Sequence, residues 1–189
     1  MSILGLPIRM PEPLTIYSGA RMLQWPKLPL RNIGCSARFA ALWIRDNGIV
    51  PEGLWPELEE NIDQVPPLDV LQAGQEATVE AFYRIEEDAR LAENMIESLR
   101  RGHIPCRAQI ADEGWKDTTE NQIYDQTTGN KGFPIGGHYE AVVGYVESLD
   151  LFIVRSTWPV HESGYVLQSR RSMQARAKDV YIVQAAPNI

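Results

Sequence analysis

Cysteine is scarce in this chain of 189 residues: Cys35 and Cys106 are the whole complement. Two thiols make at most one bridge, so a small disulfide framework is excluded and free thiols in a reducing compartment are the simpler expectation. Basic charge is also short. Lys and Arg number 18 against 25 Asp and Glu, a net charge of −7, with acids gathered at Glu57, Glu59 and Glu60 and again from Glu86 to Asp88. A general nucleic-acid binder presents a basic face, so that class of partner is excluded. No stretch approaches the roughly 18 apolar residues that a membrane-spanning helix needs, and no membrane partner is expected. The opening "MSILGLPIRMPEPL" has no lysine-rich lead and no small-residue cleavage site, and prolines interrupt it at 7, 11 and 13. A secretory signal is therefore not expected. Solenoid-period repeats are missing as well.

Hydrophobic residues make up 44% of the chain, enough for one domain with a real core. Residues 1–13 read as an extended proline-rich arm, and 14–189 as a single domain. "LTIYSGARMLQW" at 14–25 suits a short helix. Ser36 caps a second through "ARFAALWIRDNG", with Phe39, Leu42 and Trp43 on one face and Asn47-Gly48 as its stop. The strongest helical pattern is "EEDARLAENMIESLRRG" at 86–102, with an apolar stripe of Ala89, Ala92, Met95, Ile96 and Leu99. Beyond Gly102 the period changes to two. "IPCRAQIA", "YEAVVGYV", "LFIVRS", "GYVLQ" and "DVYIVQ" follow one another as strands. Helices first and antiparallel strands second is an α+β order. The polar loop at 112–134 is long enough to be either functional or a packing flap.

The residues that carry chemistry are few. His138 follows Gly136-Gly137 at the mouth of an apolar strand, where a histidine serves either as a general base or as a packing residue. Gly136 and Gly137 permit a positive φ or a close backbone approach. Cys35 stands ahead of a helix N-terminus, which lowers a thiol pKa; the plainer reading is a small buried thiol. Cys106 alternates with Ile104 and Ala108 and is expected in the core. His103 and Cys106 have H-x-x-C spacing that His138 or His161 would have to complete, but strand geometry does not aim them at one centre. No metal and no cofactor are expected. Of the tryptophans, Trp55 reads as an anchor, and an exposed Trp25 or Trp115 would mark an interface.

In order along the chain, "EPLTIYSGARML", "IGCSARFAALWIRDNGIVPEGLWPE", the "YRI" of 83–85, "GGHYEAVVGY" and "FIVRSTW" resemble the later three quarters of papain-like cysteine peptidases. The resemblance runs from about residue 12 to 184. It implies a papain-like α+β fold, truncated at its N-terminus. In such enzymes a cysteine at a helix N-terminus attacks the substrate carbonyl, and a histidine keeps it as thiolate. An asparagine orients the histidine, and a glutamine helps to bind the oxyanion. By resemblance His138 takes the histidine position and Trp158 that of the tryptophan shielding the asparagine. Ser156 stands where the asparagine would, and Pro159 where a glycine would. Nothing before "EPLTIYSGARML" supplies the glutamine or the nucleophile, and Cys35 matches an ordinary position.

The resemblance thus implies an inactive homologue in which Gly136, Gly137, Ser156 and Trp158 are remnants of a catalytic region. The expected function is structural or assembly work by a non-catalytic domain, with neighbouring protein subunits as partners. A bacteriophage virion is one such assembly, and the expected location is the cytoplasm or that particle. The alternative is an active cysteine hydrolase that uses Cys35 with His138.

Overall fold

The computed structural model describes residues 11–76, 79–119, 122–129, 132–158, 161 and 163–185. The chain gathers into two compact units. One runs as far as Phe82 and takes back the chain from Gln184; the other spans Tyr83–Val183. Residues 1–10 of the expected arm lie outside the described residues, and Pro13 already belongs to a helix.

The first unit is built on α1 (Pro13–Gln24) and α2 (Ala37–Asn47), followed by a short α3 (Leu68–Ala73). Proline is favourable at the first turn of a helix, where its missing N–H has no intrahelical partner to lose. Ser36 caps α2 as its sequence predicts, accepting the Arg38 N–H at 3.3 Å, and Gly48 ends it by donating to the Ile44 carbonyl at 2.8 Å. The apolar face of α2 differs slightly from expectation: Ala41 and Trp43 are buried, whereas Phe39 and Leu42 are only half-buried. The Trp43 indole lies directly against Gly19 of α1, where an added Cβ would fall 2.0 Å from Cδ2. Two helices come this close only where one of them has no side chain.

The second unit holds most of a seven-stranded sheet in the order β1-β7-β2-β4-β5-β6-β3. Its strands are β1 (Val79–Arg84), β2 (Pro105–Asp112), β3 (Ile123–Tyr124), β4 (Pro134–Val146), β5 (Leu151–Arg155), β6 (Tyr165–Ser169) and β7 (Lys178–Ala185). β2, β4, β5 and β6 pair antiparallel in turn, as does β2 with β7; β3 joins β6 in parallel. Against them lie α4 (Leu91–Arg100), the single turn α5 (Glu113–Lys116) and α6 (Arg170–Arg176). The core combines Leu91, Met95 and Ile96 of α4 with Val142, Phe152, Val154 and Val166 of the sheet. α4 starts later than its acidic lead suggests. Glu87 is drawn away to accept from Arg84 at 2.8 Å and from the Asp179 N–H at 2.9 Å, so tertiary partners override the local helix pattern.

Strand β2 inverts the expected facing. Arg107, Gln109 and Ala111 point into the core, while Cys106 is half-buried and Ile110 is 53% exposed on the opposite face. The reason is register: Arg107 pairs with Glu140 and Gln109 with His138, so the polar side chains of two strands face each other inside. The 112–134 loop is in part a packing flap. Asp112 caps α5, accepting the Trp115 N–H at 2.9 Å, and Trp115 is fully buried. Trp115 therefore marks no interface. From α6, Arg176 pairs with Asp112 and Arg171 with Asp125, which ties down the start and the middle of this segment.

Adding one methyl group at Gly19 forces Trp43 out of its place. Gly19→Ala is expected to cost on the order of 3 kcal/mol, read as a lower urea midpoint with unchanged slope. Trp43→Leu in the same chain should recover part of that loss.

Candidate functional site

His138 and Glu140 stand two residues apart on β4 and so share its inward face. The His138 side chain is 16% exposed and that of Glu140 is 1% exposed. Trp158, half-buried just past the end of β5, donates its indole N–H to His138 Nδ1 at 3.3 Å. An indole nitrogen can only donate, so Nδ1 must accept and the proton of the neutral ring resides on Nε2. Nε2 lies 3.3 Å from Glu140 Oε1. That approach has no hydrogen-bond alignment, so among the described residues Nδ1 of His138 has a hydrogen-bond partner and the buried Nε2 has only the nearby carboxylate.

Glu140 is itself held from beneath. Its Oε2 lies 3.2 Å from Nη2 of Arg107, whose side chain is fully buried. Neither contact of the carboxylate has hydrogen-bond alignment; the attraction to the Arg107 cation is Coulombic, strengthened by the low dielectric around it. Nη2 of Arg107 also donates to Gln168 Oε1 at 2.7 Å, and Gln168 passes a 3.0 Å bond to the Ser172 hydroxyl. The guanidinium sits 5.1 Å over the Trp115 ring. Burial pushes Arg107 down to about 10, against the pull of Glu140, and at neutral pH it remains a cation.

Ser156 does not reach toward His138. It is buried, and its Oγ lies 2.7 Å from His161 Nδ1. His161 Nε2 faces the Trp115 carbonyl at 3.2 Å; a carbonyl only accepts, so Nε2 carries the proton and Ser156 donates to Nδ1. This pair ties the segment after β5 to the flap. His161 is a residue that sequence reasoning considered only as a metal ligand. Among the described residues no group of three or more His, Cys, Asp and Glu is placed to hold a metal ion.

Gly136 adopts φ 156°, and a Cβ at Gly136 or Gly137 would meet nothing within 4 Å, so conformation rather than close approach explains the first glycine. Pro159 lies outside the described residues. Cys35 belongs to the first unit, is half-buried, and has its thiol pushed above the ordinary 9.0 by burial, with Arg21 opposing. Burial raises Cys106 in the same direction. Neither thiol has the depressed pKa of an activated nucleophile. Sequence reasoning missed Glu140, although a histidine followed two residues later by an acid on an inward-facing strand is a readable sign of such a pair.

Xylellain, a cysteine protease from Xylella fastidiosa, matches 96% of this chain with 72% of its own length, at a TM-score of 0.79 and 18% identity. The bromelain protease from Ananas comosus, solved with the E64 inhibitor, matches 91% of this chain at 0.61 and 14% identity, covering 85% of its own. This is a papain-like cysteine protease fold. The Carica candamarcensis cysteine protease CMS1MS2, in complex with E-64, matches 80% of this chain and 68% of its own at 0.55 and 13% identity. No family model and no curated protein matches the sequence. The α+β reading, with helices first and a mostly antiparallel sheet after them, agrees with this fold.

Removing the Glu140 charge leaves Arg107 buried without its counterion. Glu140→Gln is therefore expected to destabilise the protein by about 3–5 kcal/mol. The double variant Arg107→Met with Glu140→Leu should lose much less than the sum of the single losses in a denaturant double-mutant cycle. Additive losses would show that the pair is not coupled.

Proposed function

We propose that this papain-like domain acts by binding within an assembly and not by acyl transfer. The observation that carries this reading is the state of His138. A cysteine hydrolase needs an imidazole nitrogen facing the sulfur, to take its proton and hold the thiolate. Here Nδ1 accepts from Trp158, and Nε2 is buried against the Glu140 carboxylate without a hydrogen bond, so neither nitrogen is directed to a thiol of the described residues. Two further features support it. Ser156, at the position that the resemblance gives to the orienting asparagine, is engaged with His161, and burial raises both thiols. The partners that fit are neighbouring protein subunits, since a net charge of −7 disfavours nucleic acid. A structural component of a larger particle, such as a bacteriophage virion, or of a cytoplasmic complex is the setting we infer.

Thiol labelling tests the reading. A folded-state pKa above 9.0 means that Cys35 stays protonated at neutral pH, so labelling by iodoacetamide should be slow. It should rise only as the pH passes above the ordinary thiol range. The same shift makes the folded state lose stability as pH climbs through that range, because the unfolded chain releases the proton first. His138→Ala should leave the labelling rate unchanged. Fast labelling of Cys35 at neutral pH that disappears in His138→Ala would favour a working hydrolase instead.

A further inference from the structure

Between Glu12 and Asp46 there is no acidic residue, yet five basic ones, Arg21, Lys27, Arg31, Arg38 and Arg45, lie there in a chain of net charge −7. Just after α1 this stretch bounds a cavity of about 280 Å³ lined by Trp25, Leu28, Leu30, Arg31, Ile33 and the buried Arg21. Its apolar side chains are open to solvent: Leu28 is 59% exposed and Ile33 57%. Arg21 donates to the Arg31 carbonyl at 2.6 Å and, through its other nitrogen, to the carbonyl of Ile62. Asp63 lies 3.5 Å from it.

The Ile62 bond brings a second stretch alongside the first. Residues 54–60, "LWPELEE", end immediately before it in a 3-10 turn at Glu59–Asn61. Leu54 is 48% and Leu58 46% exposed, and Glu57, Glu59 and Glu60 are exposed between and beside them. A basic hollow with apolar walls and an acidic stretch with free leucines are therefore neighbours on the first unit. Scattered exposed leucines are ordinary, but matched apolar and charged features side by side are the makings of an interface.

We propose that they are the two halves of one self-association surface. Leu58 of a second copy enters the hollow between Leu28 and Ile33, while Glu57 and Glu59 of that copy meet Lys27 and Arg31. Both halves lie together on one unit, so the second copy can return the contact, and the result is a closed two-fold dimer. The leucine supplies the buried anchor; the charges set register and encounter rate and make the association salt-sensitive. This names a partner for the assembly reading and rests on that reading only for the expectation of neighbouring subunits. It uses neither His138 nor a thiol.

Sedimentation equilibrium over rising concentration at low salt is the test. The wild-type mass should climb from 21.3 kDa toward twice that value and fall back as salt is added. Arg31→Glu, Leu28→Asp and the pair Glu57→Lys with Glu59→Lys should each weaken association by about tenfold or more. Mixing Arg31→Glu with the Glu57→Lys, Glu59→Lys variant should restore it, because each copy then meets an opposite charge. All four positions are exposed, so these variants keep the fold. A wild type that stays at 21.3 kDa, variants that associate like the wild type, or a mixture that fails to recover would each overturn the proposal. A monomeric wild type would leave the binding reading to another partner, whereas His138-dependent thiol chemistry would overturn that reading and leave the dimer intact.

Discussion

A buried ion pair, Arg107 with Glu140, governs the second unit. Placing a guanidinium and a carboxylate in an apolar core is costly, and the cost is offset only if each charge keeps the other and finds further polar neighbours. Sheet register meets that demand by setting Arg107 opposite Glu140 across β2 and β4. Gln168 and Ser172 extend the polar chain toward α6, and Trp115 lays its ring against the guanidinium. Because the carboxylate cannot move without stranding the cation, it is fixed beneath the imidazole. The state of His138 therefore follows from the packing of the core, with Trp158 closing the other side of the ring.

The first unit handles its own buried arginine differently. Arg21 is satisfied chiefly by neutral acceptors, the carbonyls of Arg31 and Ile62 and the Ser18 hydroxyl, with an exposed Asp63 nearby. Bonds from one side chain to two distant carbonyls gather loops that have little regular structure of their own. One arginine thus orders the sheet interior of its unit, and the other orders the loops of its own. In the first unit Arg21 does not offset the burial of Cys35, and in the second burial alone raises Cys106.

Much of this was legible beforehand. α2 announced itself through Ser36 and Gly48, and the period-two runs located β2, β4, β5, β6 and β7, because these signals are local. The signals that failed were those that depend on partners remote in sequence. Residues 86–90 carry a helix pattern, but Glu87 bonds to Arg84 and Asp179. Alternation in β2 pointed to Cys106 as core, whereas Glu140 on the neighbouring strand calls Arg107 inward. The flap looked like loop until Trp115 and the α6 arginines gave it anchors. At the site, resemblance pointed to His138 and Trp158, and the two lie together, one on β4 and the other just past β5. It could not supply Glu140, which occupies a position that the motif treats as part of the strand.

The central claim concerns a proton and can be measured directly. Long-range proton–nitrogen NMR correlation of His138, compared with His138→Ala for assignment, reads the protonation of each ring nitrogen near neutral pH. The account predicts that Nδ1 is unprotonated and hydrogen-bonded, with the ring proton on Nε2. A neutral ring protonated on Nδ1, or an imidazolium that disappears in Cys35→Ala, would contradict it.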